Sequence, residues 1–147
     1  MHSPEPSEAK LAAKAWAAGE YDVGRTLYRK AIELAKTNTG RLPPSFYLSE
    51  WARMEGTIRN REAFESLSRE ALALEPNAPL LRLAYARELW AEFQDQSACL
   101  RAISDLEELL ASDRWDRSID LAPLAYSQKI ETLRARANGE QGGTLWP

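Results

Sequence analysis

The chain has 147 residues, of which 44% are apolar and 28% charged, with a formal net charge of -3 at pH 7. That length suits one domain able to bury about 68–70% of its unfolded surface. The slight acidity disfavours a general nucleic-acid binder, whose affinity rests on cationic contacts to phosphate, and the lack of any run of about 18 apolar residues argues against a membrane span.

In chain order, residues 1–6 read as a loose arm carrying Pro4 and Pro6, followed by Ser7 as an N-cap with Glu8 in the first turn. Leu11, Ala12, Ala15 and Trp16 recur at helical spacing until Gly19-Glu20 interrupts them. Tyr21-Asp22 opens a second helix, in which Val23, Leu27, Ala31, Leu34 and Ala35 keep the period. Thr37 to Pro44, with Gly40 and two prolines, reads as a loop. Ser45 is expected to cap a third helix carrying Tyr47, Leu48, Trp51, Ala52 and Met54, and Gly56 to Asn60 is the next break.

Phe64, Leu67, Ala71, Leu72 and Leu74 mark a fourth helix, stopped at Glu75-Pro76-Asn77 because proline cannot continue one. Leu80 to Phe93 and Ser97 to Leu110 read as the fifth and sixth. A link from Asp113 to Ser118, containing Trp115, leads to a seventh over Ile119 to Arg136, where Pro123 fits only in a first turn. Residues 138–147 form a tail expected to fray, so one helical domain is drawn over 7–137. Trp146 in that tail is either unstructured or an anchor for a neighbour. Seven helices joined mostly by short turns imply an all-α fold of antiparallel hairpins.

Charge is unevenly spread. From Arg25 to Arg61, eight Lys or Arg stand against three Glu, whereas from Glu88 to Glu108 six acids stand against Arg101 alone. These are either solvated helix faces or a basic half that attracts an acidic segment of a partner. Head-to-tail pairing of the two halves would give a homo-oligomer. Cys99 is the only cysteine, so no internal disulfide forms, and the polar start of the chain carries no signal-peptide core. A cytoplasmic setting is expected.

Ala17-Ala18-Gly19-Glu20-Tyr21-Asp22 followed by Leu27-Tyr28-Arg29-Lys30-Ala31-Ile32-Glu33-Leu34 resembles the tetratricopeptide repeat. In that family a Gly-acid-aromatic turn joins two helices, a small residue early in the second helix permits close packing, where Gly24 stands, and Ala31 is the second small position. Glu70-Ala71-Leu72-Ala73-Leu74-Glu75-Pro76 is similar to the family's repeat ending. The resemblance covers 15–36, 45–76 and 79–110; in the last stretch Ala86, Ala98 and Ala102 supply small residues, but Asp105 falls where an alanine is expected. Trp51-Ala52-Arg53-Met54-Glu55, echoed by Tyr85-Ala86-Arg87-Glu88, is also similar to the half-a-tetratricopeptide repeats of RNA-processing scaffolds.

The resemblance implies a right-handed stack of about three helical hairpins closed by a C-terminal capping helix. It implies a concave groove lined by the first helix of each pair. Carried over position by position, the groove receives Trp16, then Phe46, Ser49 and Arg53, then Leu83, Arg87 and Trp90. Aromatic rings and guanidinium groups suit a bound peptide or helix, an acidic one included. The alternative is that the seventh helix or the N-terminal arm fills the groove, which leaves Trp16 and Trp90 in the core and Arg53 and Arg87 paired locally. The Lys and Asn clamp of chaperone-binding members is missing from these positions. Tyr21, Tyr28, Trp51, Phe64 and Tyr85 are expected at packing positions.

Catalysis finds little support. His2 is the lone histidine, Cys99 has no activating neighbour, and there is no phosphate loop or metal-ligand spacing. No catalytic residue, cofactor or metal is expected. The function expected is that of an adaptor or chaperone-like module holding another protein, with a self-associating structural subunit or an RNA-processing scaffold as alternatives.

Overall fold

In the computed structural model, which describes residues 7–37, 42–115, 123–140 and 145–146, Ser7 sets the first helix: its hydroxyl accepts from the Lys10 N–H at 3.2 Å. Helix α1 (Glu8–Ala17) ends at Gly19, whose φ of 80° is cheap only without a side chain, and the Glu20 N–H returns to the Ala15 carbonyl. Helices α2 (Tyr21–Thr37), α3 (Pro44–Thr57), α4 (Arg61–Leu74), α5 (Pro79–Ala91), α6 (Gln96–Ala111) and α7 (Pro123–Ala137) follow. The architecture is all-α, with no strand among the described residues.

The chain falls into two compact units, Met1–Leu74 and Glu75–Pro147. In the first, α1 pairs with α2 and α3 with α4, and α3 also packs on both helices of the preceding hairpin. In the second, α5 pairs with α6, and α7 packs on both.

Two helix boundaries differ from expectation. Ser45 is no cap: Pro43 holds the cap position and α3 starts on Pro44, two residues before the start a Ser45 cap implies, because proline is preorganised at a first helical position and the N–H it lacks would be unpaired there anyway. Ser45 is buried inside the helix. Gly56 does not break α3, which continues to Thr57; the reversal falls on Arg59 at φ 58°. Helix α7 is described from Pro123 to Ala137, and the expected start at Ile119 lies outside the described residues.

The second helices of the hairpins start alike. The Gly24, Phe64 and Cys99 N–H groups donate to the carbonyls of Glu20, Asn60 and Asp95 at 2.9–3.0 Å. Counting from these starts aligns Gly24, Tyr28 and Ala31 with Phe64, Ser68 and Ala71, and with Cys99, Ile103 and Leu106; all nine are buried. The turn before α6 is one residue longer than the turn before α4: the Asp95 N–H reaches back six residues to Leu89, whereas that of Asn60 reaches back five to Glu55. Leu106, not Asp105, therefore holds the inner position, and Asp105 is exposed.

Gly24 matters at close range. A Cβ there would lie 2.9 Å from Trp16 Cε3 and 3.2 Å from the Ala12 carbonyl oxygen, so glycine is what lets α1 approach α2. Trp16 in turn donates its indole N–H to Thr57 Oγ1 at 3.1 Å, tying α1 to the end of α3. The Tyr28 ring stacks on Trp51 at 6.0 Å, and Arg29 lies 5.4 Å from the centre of the same indole. Tyr21 is more exposed than expected but still meets Trp16 at 5.0 Å.

Trp115, placed by sequence in a linker, belongs to the core of the second unit. It is 4% exposed, meets the Tyr126 ring edge-on at 6.0 Å and donates its indole N–H to the Leu110 carbonyl at 3.3 Å. A satisfied N–H removes the usual penalty for burying tryptophan. Cys99 is fully buried, and burial, with Asp95 nearby, pushes its thiol up to about 11. That thiol stays protonated at neutral pH and packs as a small apolar group.

Candidate binding surfaces of the two units

The first unit carries a buried carboxylate at its centre. Glu55, 1% exposed, accepts two bonds from Arg25, at 2.8 Å from Nε and 3.0 Å from Nη2. It also accepts from the Trp51 indole at 3.0 Å and from Asn60 Nδ2 at 3.2 Å. Arg25 additionally bonds Asp22 at 2.8 Å and lies 5.4 Å from the Trp16 ring centre. These carboxylates, the hydrogen bond to Glu55 above all, hold the guanidinium above its usual range. Four donors converge on one carboxylate, so the group is locked and serves packing rather than proton transfer.

That lock fixes how α3 is turned. Tyr47, Leu48, Trp51, Ala52, Glu55 and Gly56 face inward. Phe46, Ser49 and Arg53 are left on the opposite stripe at spacings of three and four, with Phe46 and Ser49 half-buried and Arg53 exposed. The structure thus brings together three of the four site residues expected in this half. Trp16 is the exception: at 5% exposure, engaged by Thr57 and Tyr21, it is a packing residue and not part of an accessible surface.

In the second unit, Leu83 is likewise 2% exposed and turned into the apolar interior, which removes it from any accessible site. Arg87 and Trp90 are half-buried, one turn apart on α5. Arg53 and Arg87 stand 34 residues apart, as do Ala52 and Ala86 before them. Arg87 is already engaged: it pairs with Glu88 and donates from Nε to the Trp146 carbonyl at 2.8 Å. Its guanidinium carbon lies 5.8 Å from the centre of the Trp146 ring, and Lys129 Nζ on α7 lies 4.8 Å from the same centre.

Lys129 and Trp146 form a contact with Arg87 that sequence reasoning did not assemble. The signal for Trp146 was present, an indole standing alone in a glycine-containing tail, but nothing in the sequence placed it beside α5. The acids of the 88–108 stretch are partly consumed locally: Glu88 pairs with Arg87, Asp95 caps α6, and Glu107 pairs with Arg134 of α7. Much of the basic 25–61 stretch is consumed too, Arg25 by Glu55, Lys36 by Glu33 and Arg61 by Glu65.

Between α6 and α7 lies an open cleft lined by Glu107, Leu110, Ser127, Ile130, Glu131 and Arg134. No group of three or more metal-ligating side chains occurs among the described residues, and no helix there is long and apolar enough to cross a membrane. No family model, no curated protein and no solved structure matches the chain.

Proposed function

We propose that this protein is a polypeptide-binding module of the tetratricopeptide type, an adaptor or chaperone-like protein, in which the outward stripe of α3 forms part of the contact surface. The observation that carries this reading is the division of α3. One side is fixed by the Glu55 hydrogen bonds, and Phe46, Ser49 and Arg53 are left along the other. A rigid helix presenting a phenyl ring and a guanidinium loses little entropy on binding, which is what a peptide contact needs. The close approach at Gly24 and the shared burial register of α2, α4 and α6 support the family resemblance.

A second reading has its own support. The Trp51 indole donates to Glu55 four residues on, so the aromatic and the acid of the half-a-tetratricopeptide pattern touch each other. On that reading the partner is a component of an RNA-processing assembly.

Site-specific photo-crosslinking tests both. A benzoylphenylalanine placed at position 53 on α3, compared with one at the exposed position 69 on α4, is illuminated in a lysate of the source organism. A discrete protein adduct from position 53 and none from position 69 supports polypeptide binding at α3. Equal labelling from both positions contradicts it, and the identity of a specific adduct separates the two readings.

A further inference from the structure

Trp146 is held by groups from two helices of the second unit: the Arg87 Nε–H on its carbonyl at 2.8 Å, and the Lys129 ammonium 4.8 Å from its ring centre. The Arg87 guanidinium, 5.8 Å from that centre, adds a second cation to the same indole. Cations over an indole face and a charged donor on a backbone carbonyl are the elements by which an extended peptide is read: the ring gives selectivity, the carbonyl gives register. Nothing in this contact requires the indole to come from the same chain.

We propose that the α5–α7 face around Arg87 and Lys129 is a docking site for an extended segment carrying a tryptophan, and that the chain's own tail occupies it in cis. The inference deepens the polypeptide-binding reading and rests on it. The occupant is specified by what already sits there: an aromatic of indole size whose backbone carbonyl faces Arg87. Only a short stretch separates the end of α7 at Ala137 from Trp146, so the tail competes at an effective concentration on the order of millimolar. A partner's tryptophan segment gains the site only by exceeding that, which makes the tail a threshold against weak ligands. The test of this site reads α5 and α7 with a defined peptide, so its failure is distinguishable from failure of the α3 reading.

The test uses the full chain and the octapeptide of residues 140–147 as probe. Backbone amide NMR follows the α5 and α7 signals as peptide is added to millimolar concentration. The Trp146→Ala chain is expected to show saturable shifts around Arg87 and Lys129. The wild type, its site filled, should need roughly tenfold more peptide. Adding Arg87→Ala or, separately, Lys129→Ala to Trp146→Ala should weaken binding, and the second substitution guards against misfolding by the first. A peptide with alanine in place of tryptophan should not bind. No saturable shift in Trp146→Ala, equal affinity in Trp146→Ala and wild type, or undiminished binding in both double variants would overturn the proposal. Peptide-dependent shifts together with dimerisation of the wild type would also overturn it, because they assign the site to a second copy in trans.

Discussion

Arg25 of α2 closes on Glu55 of α3 as a two-pronged pair, 2.8 Å from Nε and 3.0 Å from Nη2, with the carboxylate buried and the guanidinium a quarter exposed. The pair orients two hairpins at once, since α3 also carries Trp51 and leads into the Asn60 turn. Truncating Arg25 to alanine strands a buried carboxylate and is expected to destabilise by about 3 kcal/mol. Glu55→Gln should destabilise too: every group around Glu55 is a donor, and an amide would set N–H against N–H. Urea unfolding curves of the two variants check this, and an unchanged midpoint for either would contradict it.

Gly24→Ala sets two effects against each other. Alanine is the better helix former by about 1 kcal/mol, but its Cβ would sit 2.9 Å from the rigid Trp16 ring and 3.2 Å from the Ala12 carbonyl. Overpacking of this kind costs about 1–3 kcal/mol. The variant is therefore expected to melt at lower temperature, with the Trp16 environment altered in near-ultraviolet circular dichroism. A raised melting temperature would show that α1 can move away without penalty.

Arg59 and Gln94 adopt φ of 58° and 49° at the ends of α3 and α5, the left-handed conformation that glycine adopts at the end of α1. A side chain there costs about 1–2 kcal/mol, part of which glycine returns through its freer unfolded state. Arg59→Gly and Gln94→Gly are each expected to stabilise by about 0.5–1 kcal/mol in chemical denaturation. Destabilisation by both would contradict the turn assignment.

The Cys99 thiol is raised from its ordinary 9.0 to about 11 in the folded chain, by burial first and by Asp95 second. An acid whose folded value is raised stabilises the fold fully below the unfolded value and loses that contribution as pH climbs through the folded one. Between pH 9 and 11 the wild type should therefore lose about 2 kcal/mol that Cys99→Ala keeps. Parallel stability profiles of the two proteins over that range would contradict it.

Much of the fold was legible because helix periodicity and breakers act locally. Ser7, Gly19 and the Glu75-Pro76-Asn77 stop mark ends by themselves, and the small residue at Gly24 is a packing requirement written into one position. What escaped was non-local. Trp115 reads as linker because its ring partner, Tyr126, is brought to it only by the return of α7. The single extra residue before α6 shifted Asp105 off the inner register, which counting from a family period could not reveal. Of the expected site, Phe46, Ser49 and Arg53 share a stripe, while Trp16 and Leu83 were drawn inward by packing that spacing alone does not distinguish from exposure.

The central claim is that this chain holds another polypeptide through accessible side chains, which a comparative capture experiment addresses most directly. The wild type and a Phe46→Ala, Ser49→Ala, Arg53→Ala variant, verified as folded by circular dichroism, serve as parallel baits in a lysate of the source organism. Trp16 and Leu83 stay untouched because they pack the units. A protein retained by the wild type, lost by the folded variant and rebinding the wild type when purified is the predicted result. Equal retention of every captured protein by both baits would contradict the account.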